Sequence, residues 1–268
     1  MPENGDKYCI RRAHFLYLRI MTQRYKMTFS YDGTNFQGLQ VQPEHTTVQG
    51  EMERALHHIT RQEVRIHPCG RTDTGVHGRA MVAHFDLNDV RDTTKLRIGL
   101  NAVMPPDIRI YKIEKVASEF HARFDSVHKE YRYFIWNGDV IPPFKRLYCL
   151  HDRRKIDVER MRKAASYLVG EKDFKAFCCN APGQGGRFGT VRTIYKIDIR
   201  KKGNELVIIV DGSGFLYKMV RTIVGFLTRV GRGEMEPEDA LTLLENRVRT
   251  ADIPSAQAHG LFMWQIWY

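Results

Sequence analysis

Apolar residues recur along the chain with two different periods, and the two periods predict strands and helices in alternation. Alternation of apolar and polar residues, or an extended apolar run, predicts strands at residues 27–31, 79–87, 108–116, 130–136, 193–200, 205–210 and 261–268. Apolar spacings of three and four predict helices at residues 48–59, 96–103, 158–168 and about 214–230, with a last helix that begins with Pro237 in its first turn. Residues 1–24 have no clear period and are interpreted as an N-terminal extension.

Residues that start or stop helices support these bounds. Thr46 and Gln49 have the spacing of a capping box at the start of the first helix, Pro105 and Pro106 stop the second, and Gly170 closes the third. Several strand pairs are joined by connections that are too short for a helical crossover. The fold class expected is therefore α/β (α+β), with an antiparallel or mixed sheet, an N-terminal half at 25–118 and a C-terminal half at 119–268.

Composition and charge limit the classes of function that the protein can have. The 268 residues are 43% hydrophobic and 27% charged, which is typical of a folded globular chain. The 42 Lys and Arg against 31 Asp and Glu leave a net charge of +11, which favours a polyanionic partner, with nucleic acid first. No apolar run approaches the length of a membrane span, so neither an anchor nor a secretory signal is expected. The five cysteines are odd in number and scattered, which fits a reducing cytoplasm.

Two segments concentrate the positive charge. Residues 145–163 hold eight Lys or Arg against three acids, and residues 187–202 hold six against Asp198 alone. Each cluster is either a solvated surface or a contact for phosphates, and the aromatic residues near them either stack on bases or fill the core. The charge pattern alone leaves both interpretations open.

The segment Cys69-Gly-Arg-Thr-Asp-Thr-Gly-Val-His-Gly78 combines three glycines with a carboxylate, a guanidinium and an imidazole. One interpretation is a plain turn, in which Gly75 takes a positive φ and Asp73 bonds to nearby backbone amides. The other is a catalytic loop. The surrounding motifs decide between them.

Those motifs occur in a specific order. Tyr31-Asp-Gly-Thr-Asn-Phe-Gln-Gly-Leu-Gln40 and Thr47-Val-Gln-Gly50 precede the loop, and Phe120-His-Ala-Arg-Phe124, Lys129-Glu-Tyr-Arg-Tyr133, Thr190-Val-Arg192, Gly214-Phe-Leu-Tyr-Lys-Met-Val-Arg221 and Gly260-Leu-Phe262 follow it. In this order the chain resembles the TruA family of tRNA pseudouridine synthases from about residue 25 to residue 268. Each motif alone is weak evidence, but the set is highly specific.

The resemblance implies the pseudouridine synthase fold, with two related halves around a basic cleft, and a reaction without cofactor or metal. Uridine in the anticodon stem-loop of tRNA, at positions 38 to 40, would be isomerised by a homodimer. By family position Asp73 is the nucleophile, Arg221 pairs with it, Tyr131 stacks on the target base and Arg71 holds the flipped nucleotide. A carboxylate that attacks must be ionised, so a cationic neighbour that lowers its pKa suits this chemistry.

Each of these residues also has a simpler interpretation. Arg221 lies off the apolar stripe of its helix and could be a solvated charge, and Tyr131 could be a core aromatic. His77 and His121 are expected to be hydrogen-bonded loop residues, and Asp32 a turn former that supports the site.

Departures from the family pattern are few. Leu39 replaces a common aromatic, Thr74 a common alanine, and residues 179–189 form a glycine-rich stretch. Two rival functions remain: an RNA-binding protein without catalysis, and a glycosidic hydrolase. The hydrolase needs a second carboxylate, and the loop around Asp73 supplies none.

Overall fold

The computed structural model describes residues 22–179 and 189–268. Most of the expected N-terminal extension and of the glycine-rich stretch lies outside these residues. The strands of the described part are β1 (Gln23–Tyr31), β2 (His67–Pro68), β3 (His77–Leu87), β4 (Ile108–Val116), β5 (His128–Trp136), β6 (Leu150–His151), β7 (Gly170–Asp173), β8 (Val191–Lys202), β9 (Glu205–Gly212) and β10 (Leu261–Trp267). The helices are α1 (Val48–Thr60), α2 (Thr93–Val103), α3 (Val158–Leu168), α4 (Met219–Gly231) and α5 (Asp239–Asn246).

The strands form one sheet in the order β4-β1-β3-β10-β5-β9-β8-β7, with β2 added beside β3 and β6 beside β5. β10 pairs in parallel with β3, and β6 in parallel with β5, whereas the other pairs are antiparallel. The expectation of a mixed, mainly antiparallel sheet flanked by helices is confirmed. The last strand of the chain joins strands from both halves of the sequence, because it lies between β3 and β5. The boundary between residues 118 and 119 stays a prediction.

Burial follows the periods seen in the sequence. In β1, the side chains of Tyr25, Met27, Phe29 and Tyr31 are buried while the residues between them are partly exposed. This alternation is what a strand with one face on the core requires. None of the helices in the two described ranges is both long enough and apolar enough to cross a membrane.

α2 begins at Thr93, three residues before the predicted residue 96, and three other helix starts also differ from their predictions. The N-cap of α1 is Thr47, whose side chain accepts the Gly50 N–H, rather than Thr46. α5 begins at Asp239, so Pro237 lies in the turn before it. These are shifts of one or two residues, which is the ordinary uncertainty of a helix end.

The third difference concerns α4, which begins at Met219 and not near Gly214. Lys218 has a φ of 57° and ends the turn before the helix. Phe215 instead contacts Tyr131 edge to face, with ring centroids 5.1 Å apart. Tertiary contacts hold this turn where the apolar pattern alone predicted another helical turn.

α4 is also buried on nearly all sides. Its buried residues include not only the apolar stripe but also Thr222, Gly225 and Thr228. Arg221 therefore does not lie on a solvated face, and its side chain is only 14% exposed. The interpretation of Arg221 as a surface charge is wrong.

Candidate active site

Three neighbouring strands in the centre of the sheet bring the motifs together. The loop that carries Asp73 leads into β3, whose first residue His77 pairs with Phe262 of β10. On the other side of β10, Met263 pairs with Tyr131 of β5. The start of β3, the start of β10 and the middle of β5 are therefore side by side.

Asp73 and Arg221 meet at this place although they are 148 residues apart in the chain. Nη1 of Arg221 donates a hydrogen bond of 2.6 Å to Oδ2 of Asp73. Nε of the same guanidinium donates to the carbonyl oxygen of Ala256 at 2.7 Å. The carboxylate retains 19% exposure, so it contacts its cation and still reaches the surface. The pairing of these two residues is the contact that the sequence predicted.

The backbone of the loop is a turn fixed from several sides. Gly75 has the expected positive φ, at 76°. The Val76 N–H donates to the carbonyl oxygen of Asp73, and the Tyr31 hydroxyl lies 2.7 Å from Oγ1 of Thr72. The Asp73 side chain, however, bonds to Arg221 and not to the amides that the turn interpretation assigned to it. The turn therefore leaves the Asp73 carboxylate available to Arg221, because the amides of the turn do not hold it.

Tyr131 lies in β5 with its side chain 8% exposed. Burial raises its pKa well above the usual value, and negative charges on Cys69, Tyr31 and Asp73 would raise it further. The residue is therefore a neutral phenol at physiological pH. It offers a flat ring and a protonated hydroxyl.

Cations surround the loop. Arg71 is exposed and makes no side-chain hydrogen bond or ion pair with the residues described. Nζ of Lys129 donates to the carbonyl oxygen of Cys69 at 2.7 Å, at the base of the loop. Burial lowers the Lys129 pKa, and the positive charge of exposed Arg123 lowers it further, which places Arg123 nearby. Arg71 was predicted from the sequence as a site residue, whereas Lys129 was not.

The two histidines and Asp32 form hydrogen bonds with backbone groups near them. Nδ1 of His77 accepts the Gly33 N–H at 3.0 Å, so the other ring nitrogen carries the proton and donates to the carbonyl oxygen of His259. Nδ1 of His121 accepts backbone N–H groups of the next residues. Asp32 accepts from the Thr34 backbone and hydroxyl. These contacts match the hydrogen-bonded positions expected for His77 and His121 and the turn expected at Asp32.

The first charge cluster of the sequence is largely neutralised. Five of its eight cations form ion pairs: Lys145 with Glu205, Arg154 with Asp152 and Glu234, Arg160 with Glu236, Arg162 with Glu159, and Lys163 with Glu238. Most of these acids come from distant parts of the chain. The solvated-surface interpretation therefore holds for most of residues 145–163.

No group of three or more His, Cys, Asp or Glu side chains in residues 22–179 and 189–268 is arranged to hold a metal ion. The chemistry that the described site offers is that of a carboxylate, a guanidinium and a phenol.

The family model for tRNA pseudouridine synthase matches residues 27–125 and 164–268. The chain belongs to this family. It is 41% identical to tRNA pseudouridine synthase A of Oceanobacillus iheyensis over 247 residues, which cover 92% of this chain and 97% of the relative. The corresponding protein of Brevibacillus brevis is 43% identical, covering 92% and 100%, and that of Bacillus subtilis 40% identical, covering 91% and 99%.

Family membership confirms the resemblance and the class of enzyme, a pseudouridine synthase, which is an isomerase. The motifs that carry Asp73, Arg221 and Tyr131 lie together in the structure. Two contacts of the site were not foreseen, the Ala256 carbonyl on Arg221 and the Lys129 ammonium on Cys69. A lysine at the start of a motif strand could have signalled the second, whereas a backbone carbonyl has no residue signature that could signal the first.

Proposed function

We propose that this synthase converts uridine to pseudouridine in the anticodon stem-loop of tRNA, with Asp73 as the nucleophile. The observation that carries the proposal is the 2.6 Å contact between Asp73 and Arg221, two residues from different halves of the sequence. The arginine makes a charge-assisted hydrogen bond to the carboxylate and holds it in place, and a carboxylate is a group able to attack as a nucleophile. The tRNA substrate comes from the names of the relatives, and the stem-loop from the motif resemblance.

The reaction needs no net change in atoms. The bond between N1 of uracil and C1′ of ribose breaks, the base turns, and C5 bonds to C1′ while the C5 hydrogen leaves as a proton and N1 gains one. Asp73 attacks the nucleotide and is released at the end, so the carboxylate is regenerated. Arg221 remains charged throughout and holds the carboxylate in place.

Tyr131 and Arg71 have different tasks in this proposal. The neutral phenol of Tyr131 stacks on the uracil, and its edge-to-face contact with Phe215 holds the ring. Arg71 lies two residues from Asp73 and is exposed, so it contacts the RNA as the uridine leaves its stack.

We also propose that the enzyme is a homodimer and acts in the cytoplasm. Among the described cysteines, Cys69, Cys149 and Cys179 are free thiols, which suits a reducing compartment. The dimer rests on the family resemblance, and light scattering of the purified protein measures it directly.

Tritium release from tRNA that contains 5-tritiated uridine tests the reaction, because the C5 hydrogen leaves only when the base has turned. We expect the wild type to release tritium, Asp73→Asn to release none, and both to bind tRNA within a few-fold, since the amide is nearly isosteric but a poor nucleophile. Asp139→Asn, at an exposed position, is the matched control and should be fully active. Turnover by Asp73→Asn would overturn the assignment of the nucleophile. Mapped pseudouridine outside the anticodon stem-loop would overturn the proposed substrate, and binding without any release would favour the non-catalytic rival.

A further inference from the structure

Arg221 is held by the backbone of a distant segment as well as by Asp73. Residues 254–259, which precede β10, are called the strap here. Nε of Arg221 donates to the carbonyl oxygen of Ala256 at 2.7 Å, and the Ala256 N–H donates back to the carbonyl oxygen of Arg221 at 2.9 Å. The plane of the guanidinium is therefore defined by the strap on one edge and by the carboxylate on the other.

The strap lies close against α4 because Gly225 has no side chain. Gly225 is one helical turn beyond Arg221, and a Cβ at this position would stand 1.9 Å from the carbonyl oxygen of Pro254. Such a distance is far inside van der Waals contact, so any side chain would push the strap off the helix. The contact that orients Arg221 thus depends on a glycine four residues away.

The opposite side of the strap is fixed by β5 and by the catalytic loop. The Tyr133 hydroxyl donates to the carbonyl oxygen of Gln257 at 2.8 Å, and the Tyr133 ring is fully buried. Nε2 of His77 donates to the carbonyl oxygen of His259, next to Asp73's loop. Burial raises the pKa of Tyr133, so its hydroxyl keeps the proton that it donates.

We propose that the strap positions the Arg221 guanidinium for Asp73, and that Tyr133 is a positioning residue that acts on Arg221 through the Gln257 carbonyl. The inference rests on the proposed function and deepens it. Tyr133 touches neither Asp73 nor the substrate in this proposal. Its effect on the reaction therefore has to pass through Arg221.

Tyr133→Phe tests the proposal, because it removes one hydroxyl and keeps the ring. We expect single-turnover isomerisation at saturating enzyme to slow about 2- to 10-fold, as for one lost neutral hydrogen bond, while the Kd for tRNA stays within twofold. Tyr25→Phe is the matched control. Tyr25 is also fully buried, and its hydroxyl accepts a hydrogen bond from the backbone N–H of Arg91. It lies about 20 Å along β1 from Tyr31, so its variant should keep the wild-type rate. A Tyr133→Phe rate within twofold of wild type overturns the proposal.

A double-mutant cycle separates positioning from a general loss of structure. If Tyr133 acts through Arg221, then Tyr133→Phe should change the rate less than twofold when Arg221 is already Lys. If the rate reductions caused by Tyr133→Phe and by Arg221→Lys multiply as independent factors in the double variant, Tyr133 acts by another route and the proposal fails. Wild-type enzyme that releases no tritium would instead refute the proposed function, so the two failures are distinguishable.

Gly225→Ala gives a second test on the opposite side of the strap. We expect a loss in single-turnover rate at least as large as for Tyr133→Phe, because the added methyl displaces Pro254. Gly99→Ala in α2 is its control, since a Cβ there meets Ile59 at an ordinary 3.5 Å. A folded Gly225→Ala variant with the wild-type rate would show that the position of the strap does not matter.

Discussion

Replacing Arg221 with lysine keeps the positive charge and removes the planar guanidinium group with its several N–H donors. The guanidinium satisfies two acceptors at once, Oδ2 of Asp73 at 2.6 Å and the Ala256 carbonyl at 2.7 Å. An ammonium is a single point of charge and cannot reproduce both contacts with the same fixed geometry. The loss of one charge-assisted hydrogen bond corresponds to about 1.5 to 3 kcal/mol. If that loss falls on the transition state, the rate drops by about 10- to 150-fold.

Single-turnover isomerisation with enzyme in excess over tRNA measures this effect without a contribution from binding. Arg24→Lys is the matched control. Arg24 also forms a two-pronged contact, with Asp86 at 2.8 Å on both oxygens, and it lies at the far end of β1. That variant should lose some stability and keep the wild-type rate. An Arg221→Lys rate within twofold of wild type would refute the reasoning, and Arg71 would be the first alternative cation to examine.

Two further predictions concern binding and stability. The affinity for tRNA should fall as the salt concentration rises, with a log-log slope of about −3 to −5, as for four to six phosphate contacts. Arg123→Ala should weaken this slope by about one, whereas Lys163→Ala should leave it unchanged, because the charge of Lys163 is paired with Glu238. An affinity that does not depend on salt would contradict phosphate binding. Burial, with the positive charges of His67 and His121, lowers the pKa of His84 from 6.5 to about 4. Since the unfolded chain then binds more protons than the folded one below pH 6.5, unfolding in urea should show about 2 kcal/mol less stability at pH 5 than at pH 7.5, and His84→Asn should remove that share. An unchanged pH dependence in the variant would mean that other groups account for it.

The elements with a clean period were predictable because one physical requirement determined them. β1 alternates buried and partly exposed residues up to Tyr31 as expected, since a strand with one buried face has to alternate. The start of α4 was not predictable in this way. The residues before Met219 have helical apolar spacing, but Phe215 packs on Tyr131, and this long-range contact outweighs a local preference.

The charge pattern misled for the same reason. Arg160 has no partner in its own cluster once Asp157 caps α3, yet Glu236, 76 residues away, lies 2.9 Å from it. A count over a sequence window sees only local neighbours, so it overstates the charge that is available to RNA. Under the proposed function, the cations expected to contact RNA are then those near the loop of Asp73, such as Arg71 and Arg123, and they are isolated in the sequence.

The identities of the site residues could be predicted from the sequence, but their orientation could not. Asp73, Tyr131 and Arg221 belong to motifs, and in the proposed function their side chains carry the chemistry. The acceptors that orient Arg221 and Tyr133 are the carbonyls of Ala256 and Gln257, and every residue type has a carbonyl. The trace that such a contact leaves in a sequence is indirect: a residue too small to obstruct it, as Gly225 is for Pro254. Gly225, one turn from Arg221 on a buried helix, is therefore evidence of a backbone that approaches closely, and it indicates where to look for the group that holds the arginine in place.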